Sequence, residues 1–592
     1  MALIDGMQRA ERALRFRQPS IGSATRMAQG TFGVLPSLWR MATKRQRRSS
    51  WKPLKNAAPF DISTMLLLTD GTVMAQEAGG ARWARLTPDD RGSYVRGIWS
   101  AMAPMRDGRS YYASAVLRDG RVLICGGEAS TAGIMTNRCE VYDPLTDTWT
   151  DVPPPSGWGR VGDAASAVLP DGRVLIGNPG DPRTAVWDPE TGLWTASASR
   201  SHRSSEETWT LLADGTVMAP SCENAPATET YVAETDEWVS AGDTPVELVE
   251  KGSLEIGPAC LLPDGRLFAV GATGHNALYV PSPTAGAAGT WIAGPDFPDD
   301  ASGRPVGCKD APACLLPNGN VLCAAGPVGD PAKFLVPTYF HEFDGTNLFR
   351  VDDPPTATRE PFVGRLLLVP TGEVLFAASR KQVYAYGPPR APQESWRPSI
   401  VSAPVTLRAL GIYTLFGRQL NGLSQAVAYG DDAAAATNYP LVRLRRVADG
   451  TIHYCRTFDH STMAVATGAA IHSTQFEVPE DVGFGEFELV VVANGIASEP
   501  VRATVRLRPT YVLPFPMEKF VRFVSEAKAR AEAIGPRGPI AVKPFGADAA
   551  RETRRAWTSV ASGLRALQAV GARLDVARAK EARRRIAVKE EE

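Results

Sequence analysis

One phrase recurs seven times between residues 65 and 376: an apolar run, a polar residue followed by glycine, and a second apolar run. The copies read MLLLTDGTVM, AVLRDGRVLICGG, AVLPDGRVLIG, TLLADGTVMA, CLLPDGRLFAVG, CLLPNGNVLCAAG and LLLVPTGEVLF. Their turn glycines are Gly71, Gly120, Gly172, Gly215, Gly265, Gly319 and Gly372, spaced by 49, 52, 43, 50, 54 and 53 residues. No single phrase is long enough to bury its own apolar face, so the copies must stack. Seven hairpin units at a period near 50 predict a seven-bladed β-propeller. Asp-Gly or Asn-Gly between apolar runs supplies positive φ and predicts a two-residue hairpin turn joining antiparallel strands. The 54 glycines and 47 prolines fit such a turn-rich β fold and not a helix bundle.

The hairpins are followed by EVYDPLTDTW, AVWDPETGLW and TYVAETDEW, ending at Trp149, Trp194 and Trp238, with a looser copy at Trp291. Each reads as an outer strand closed by an aromatic that packs between blades, which makes the propeller kelch-type. The propeller is expected over residues 51–396. Blade seven ends in QVYAYGPP without a tryptophan phrase, so its outer strand must come from elsewhere. The candidates are the WKPL segment at 51–54 and the region around Trp396.

After Pro388 the period stops. Residues 397–508 alternate apolar and polar side chains in IYTLFG, YPLVRLRR, TQFEVP and FELVVVANG, which predicts an immunoglobulin-like (early-set) β-sandwich. The expected fold class is all-β, a seven-bladed kelch-type β-propeller and a β-sandwich, with helical basic extensions at 1–50 and 509–592. Residues 1–50 hold ten Lys/Arg against two Asp/Glu, and 511–592 hold seventeen against ten. With a total charge of zero, these excesses of 8 and 7 leave the middle near −15. Such asymmetry marks arms that meet an anionic surface or fold back on their own acidic body. The N-terminal arm places Leu3, Met7, Ala10 and Leu14 on one helical face among arginines. In the C-terminal arm Trp557, Val560, Leu564, Leu567 and Leu574 form an apolar stripe, followed by the basic run Arg583, Arg584 and Arg585. The stripe and basic run are the expected partner-binding residues.

No stretch approaches the roughly 18 consecutive apolar residues of a membrane span, and the first thirty residues lack an apolar signal-peptide core. The chain is expected in the cytoplasm, at most peripheral to a membrane or a large assembly. Its eight cysteines show no CxxC pair and are expected as buried free thiols.

The propeller, the sandwich and the strand phrase ANGIASEPV (493–501), together with GLSQAVAYGDD and ATNYPLVRL, resemble the galactose oxidase and glyoxal oxidase family of copper radical oxidases, and its bacterial galactose oxidase-like kelch members in particular. The resemblance covers about residues 55–508. It implies a Cu(II) held by two tyrosines and two histidines, with one tyrosine cross-linked to a cysteine. In that family the cysteine, the cross-linked tyrosine and one histidine fall eight residues before the Asp of a DG phrase. Here those positions are Ile62, Tyr111, Asp163, Glu206, Ile256, Asp310 and Val363 in blade order. Tyr111 matches the cross-linked tyrosine, whereas Ile62 stands for the cysteine, Val363 for the histidine and Phe362 for the second tyrosine. His460, in DHSTMAVATG, stands for the other histidine. Two of five parts are too few for the radical cofactor, so no copper-tyrosyl radical is expected and Tyr111 and His460 are remnants.

The same register predicts an acidic ring. Asp163, Glu206 and Asp310 would project into one central mouth, with Glu207 and Glu255 one residue out of register and His460 reaching down from the sandwich. Carboxylates crowded in a low-dielectric mouth are expected to protonate or to bind a divalent cation, or else to pair with Arg and backbone N–H groups as welds between blades. His453 and Cys455 alternate on one strand with no third soft ligand and read as sandwich residues. His275 is assigned no role. No GxGxxG, P-loop, HExxH or GxSxG motif occurs. The leading functional expectation is a non-catalytic scaffold bound to a protein partner or assembly, or to an anionic membrane surface, through its termini. The alternatives are an oxidoreductase with a metal centre rebuilt around Tyr111 and His460, and a carbohydrate-binding propeller. KRQRR at 44–48 makes nucleic acid a minor reading, because the acidic middle repels a long duplex.

Overall fold

The computed structural model describes residues 50–128, 135–282, 288–330, 333–387, 391–425 and 439–506. Seven antiparallel sheets follow one another along the chain: Ile62–Met102, Ala113–Val152, Ser166–Ser197, Thr210–Asp243, Ala259–Ala293, Val306–Arg350 and Gly364–Gly387. Inner strands of blades two to seven lie side by side in order, and that of blade seven, Gly364–Leu368, touches that of blade one, Ile62–Leu67. The sheets therefore close a seven-bladed propeller, whose core is hydrocarbon contributed by neighbouring blades.

Blade seven supplies only three strands of its own. Its fourth is Ser50–Pro53, which pairs antiparallel with Tyr384–Gly387, so the WKPL segment closes the ring. The Trp51 ring lies 4.8 Å from Tyr386 and 4.8 Å from Phe340 of blade six, and its Nε1–H donates to the Asp352 carbonyl at 2.7 Å. Trp396 instead lies against the blade-six turn, where a Cβ on Gly319 would strike its ring. Three closing tryptophans of other blades behave as Trp51 does, whereas the Trp238 indole N–H meets no partner among the described residues. Trp149 donates to the Ala103 carbonyl at 2.9 Å, Trp194 to the Pro153 carbonyl at 2.8 Å and Trp291 to Thr228 Oγ1 at 3.0 Å, each tied to the preceding blade or its connection.

Two local expectations are corrected. The DG hairpins have three-residue loops and not two. Leu68 N–H donates to Thr72 O at 2.8 Å while Gly71 N–H donates to Leu68 O at 2.9 Å, and Gly71 has φ +75° whereas Asp70 is not left-handed. This is a type I turn closed by a left-handed glycine, and Asp70 Oδ1 instead accepts from Thr72 N–H at 2.9 Å. The second correction concerns the cysteines. Cys125 and Cys139 are disulfide-bonded, and the other six are free and buried. Cys125 and Cys139 are direct cross-strand partners, and Gly126 N–H donates to Arg138 O at 2.9 Å. That bond makes 125/139 a non-hydrogen-bonded pair, the register at which facing side chains come closest.

Strands from Ser399 to Arg506 build a second β-unit around its own core, including Leu415, Val442, Phe476, Leu489 and Val505. It covers the DG-turn face of the propeller. Thr457 N–H donates to Thr69 O at 3.0 Å, Met463 N–H to Pro170 O at 2.8 Å, and the Tyr439 hydroxyl to Leu67 O. A Cβ on Gly495 would lie 2.7 Å from the Gly372 Cα, so glycine at both positions lets the two backbones approach. Among the described residues no helix is long and apolar enough to cross a membrane. The extensions, with Trp557, Leu564, Leu567, Leu574, Arg583, Arg584 and Arg585, lie outside the described residues.

Candidate functional site

The propeller has two faces, and the chain direction decides what each carries. Inner strands run from the eight-before positions toward the DG turns, so Tyr111, Asp163 and Glu206 lie at the end opposite the covered face. Asp163 is buried, 2% exposed, and hydrogen-bonds Glu206. Burial first, and then the Glu206 and Glu128 carboxylates, push its carboxyl up to about 9, so it is protonated at neutral pH. Its Oδ1 meets no hydrogen-bond partner among the described residues.

Glu128 is a member of this cluster that the eight-before register alone does not find. The hairpin register carries it: Ala113 faces Cys125, and the same pairing continued outward sets Ser110 against Glu128 beside Tyr111. Ser110 and Glu128 exchange backbone hydrogen bonds of 2.9 and 2.8 Å. Tyr111 itself has φ +53°, and its ring lies 5.7 Å beneath the Arg365 guanidinium, which is anchored on the carbonyls of Phe362 at 2.6 Å and Gly364 at 2.7 Å.

The other carboxylates of the expected ring have partners of their own. Glu207 forms a fully buried ion pair with Arg200, which also holds Glu229 at 3.0 Å and stacks over Trp209 and Trp238. It is a weld of blade four, one residue out of register as expected. Asp310 is left-handed, φ +45°, and its N–H donates to the Ile256 carbonyl at 3.2 Å. Glu255 and then Glu206 help raise the buried Cys222 thiol, whose shift comes first from burial. Among the described residues no three His, Cys, Asp or Glu side chains are arranged to hold a metal ion.

His460 does not reach the mouth. Its backbone N–H donates to the Arg118 carbonyl at 3.4 Å, beside the DG turn of blade two, whereas Tyr111 lies at the other end of that inner strand, about 20 Å away at 3.3 Å per residue. Its ring stacks parallel to Tyr439, centroids 6.1 Å apart, and Nδ1 meets Thr474 Oγ1 at 2.9 Å. Burial, and secondarily Arg118, lower it to about 3, so it is neutral. The periodicity of the DG phrases says nothing about which face the second unit covers, and that fact separates His460 from the mouth.

Beside the mouth a cleft of about 210 Å³ opens between blades four and five, lined by Pro220, Pro226, Pro245, Val246, Leu248 and Ile256 among others. Ile256 is the eight-before residue of blade five.

At the positions that the resemblance assigns to the cysteine, the histidine and the second tyrosine, Ile62 is fully buried in hydrocarbon, Val363 is buried and Phe362 packs on Phe334 with ring centroids 4.6 Å apart.

A kelch motif matches residues 109–156, which span blade two, Ala113–Val152, and the residues flanking it. The kelch-like protein terF of Aspergillus terreus is 31% identical over 138 residues, 23% of this chain, and the match spans only 29% of that protein's length. Among solved structures, a fungal alcohol oxidase of the AA5 family in complex with copper aligns at TM-score 0.47 and 15% identity, over 78% of this chain and 100% of that one. The Staphylococcus aureus virginiamycin B lyase solved with quinupristin aligns at TM-score 0.40 and 11% identity, over 58% of this chain and 100% of that one.

Proposed function

We propose that the chain is a non-catalytic, galactose oxidase-like kelch propeller that serves as a binding scaffold, attached to a protein partner or assembly through its basic extensions. The observation that carries this reading is the apolar replacement at the oxidase positions: Ile62 and Val363 are buried and Phe362 packs on Phe334. Tyr111 is engaged by Arg365 and His460 by Thr474 and Tyr439, so the two remnants serve packing at separate places. The kelch motif supports a protein partner, since propeller faces present many loops on a rigid frame.

The test is oxidase chemistry itself. Protein loaded with copper and supplied with primary alcohols, aldehydes and hydroxyaldehydes is expected to form no peroxide above the rate of free copper. Peroxide formation that disappears in Tyr111→Phe would overturn the scaffold reading in favour of a rebuilt oxidase.

A further inference from the structure

We propose that a cleft at blade three, on the propeller face opposite the β-unit, binds a small polar organic anion, its carboxylate or phosphate held by the Arg160 guanidinium and the Asn178 amide. The proposal goes beyond the scaffold reading and does not depend on it.

The cleft has a volume of about 360 Å³. Gly159 and Arg160 line it from the connection that enters blade three, and Asn178, Gly180, Asp181 and Arg183 line it from the turn between the strands Val174–Asn178 and Asp181–Asp188. Asn178 is 5% exposed, yet its side-chain amide meets no partner among the described residues. A buried amide in that state has lost the hydrogen bonds it made in water, and an occupant of the cleft restores them. Positive charge is also in excess here. Arg183 is committed to Asp181, with Nε 3.0 Å from Oδ1 and Nη2 2.9 Å from Oδ2. Arg183 first, and Arg203 with it, hold the Asp181 carboxyl below its usual range. Neither Arg160 nor Arg203 forms an ion pair among the described residues, so three guanidinium groups stand near one carboxylate.

The turn is fixed before any ligand arrives. Gly180 N–H donates to the Ser204 carbonyl at 2.7 Å, Ser204 N–H to the Asp181 carbonyl at 3.1 Å and Arg200 N–H to the Pro182 carbonyl at 2.8 Å, with Ser204 and Arg200 both buried. A frame held in this way reduces the ordering cost of binding. Gly180 has φ +77°, and a Cβ on it would stand 3.3 Å from Arg160 Nη2, so the guanidinium lies over the turn that carries Asn178. Guanidinium and amide N–H groups both donate, and a carboxylate or phosphate offers the several acceptor sites that such a pair requires. Among the lining residues only Pro179 has an apolar side chain, so the walls suit a hydroxylated body and not a hydrocarbon one. The volume equals about twelve waters at roughly 30 Å³ each, room for a six-carbon polyol frame.

Isothermal titration of the full chain at low ionic strength with sorbitol 6-phosphate, gluconate and sorbitol, three probes on one six-carbon frame, tests the proposal. At least one of the two anions is expected to bind about ten-fold or more tightly than sorbitol, and the tighter of them identifies the head group. Arg160→Gln is expected to lower that affinity at least about ten-fold, and Asn178→Asp, which keeps the shape and turns a donor into a negative charge, to abolish it. Arg160 is exposed, so its variant folds and decides the matter even if Asn178→Asp does not. The basic extensions also attract anions but are indifferent to Arg160. Anion binding that is unchanged in Arg160→Gln would therefore belong to the extensions and overturn the proposal. Sorbitol binding as tightly as both anions, or no binding of either anion at about 10 mM, would do the same without any variant.

Discussion

Asp163 titrates near 9 in the folded protein against an ordinary 3.8, with burial as the larger cause and the Glu206 carboxylate as the next. Between those values the folded state holds a proton that the unfolded state has released, so stability falls as pH rises from 3.8 toward 9. Asp163→Asn keeps the shape and cannot ionise. Urea unfolding at pH 5 and pH 8 is expected to show a loss between the two that is at least about 1 kcal/mol smaller in the variant, each tenfold change in proton affinity being worth about 1.4 kcal/mol. An identical loss in both proteins would mean that Asp163 ionises freely in the fold. The acid limb has the opposite sign. His341 and His460, lowered by burial to about 3 from 6.5, refuse protons that the unfolded chain accepts, so stability falls as pH drops from 6.5 toward 3. Replacing His341 with Gln is expected to flatten that limb and leave the alkaline one untouched.

At the scale of the element, the ring depends on a strand from the far end of the sequence. Trp51 takes the place that Trp149, Trp194 and Trp291 hold in their own blades, so Trp51→Ala is expected to cost about 2–4 kcal/mol in thermal or urea unfolding, as for a large aromatic truncated in a partly buried site. A loss under 1 kcal/mol would mean that blade seven is held by its own three strands. The disulfide is an independent closure, of a loop only 14 residues long in sequence separation. Its reduction is expected to destabilise the protein by about 3 kcal/mol in the loop-entropy account, and alkylation of the unreduced, denatured chain is expected to mark six thiols and not eight. The blades were legible because every hairpin repeats the same apolar register and turn glycine, and blade seven's missing tryptophan already pointed to an outside strand. The turn type was not, because Asp-Gly serves both two- and three-residue loops, and the second form places only the glycine in left-handed φ. The Cys125–Cys139 pair was hidden for a related reason: both residues sit in apolar runs that a free thiol suits equally, and only the hydrogen-bond phase of the sheet sets them face to face. In the site, the eight-before register brought Asp163 to Glu206, but Glu128 needed the hairpin pairing and His460 needed the covered face, neither of which the period encodes.

At the scale of the whole molecule, charge is segregated and the structure sharpens how that can be tested. The proposed attachment through the extensions invites deletion of residues 1–50, yet Ser50 begins the strand that closes blade seven, so such a deletion cuts into the propeller itself. Ending the N-terminal deletion at Arg48 removes all ten Lys/Arg of that arm and leaves the strand intact, and the C-terminal deletion can begin at Pro509, beyond the Val501–Arg506 strand. What remains is a propeller and its β-unit with an acidic excess near −15, shorn of arms carrying excesses of 8 and 7 positive charges. If the arms mediate attachment, the doubly truncated chain is expected to lose co-sedimentation with its partner or with anionic vesicles. The full chain should retain it at low salt and lose it in 0.5 M salt, where screening contracts to about 4 Å. If the arms instead neutralise the acidic body, truncation leaves co-sedimentation unchanged and lowers stability in low salt, because like charges in the exposed body then repel without compensation. Equal pelleting of the two proteins at both salt concentrations would place attachment on the folded core, and the loops of the propeller face opposite the β-unit, around Asp163 and the blade four to five cleft, would then be the surface to mutate.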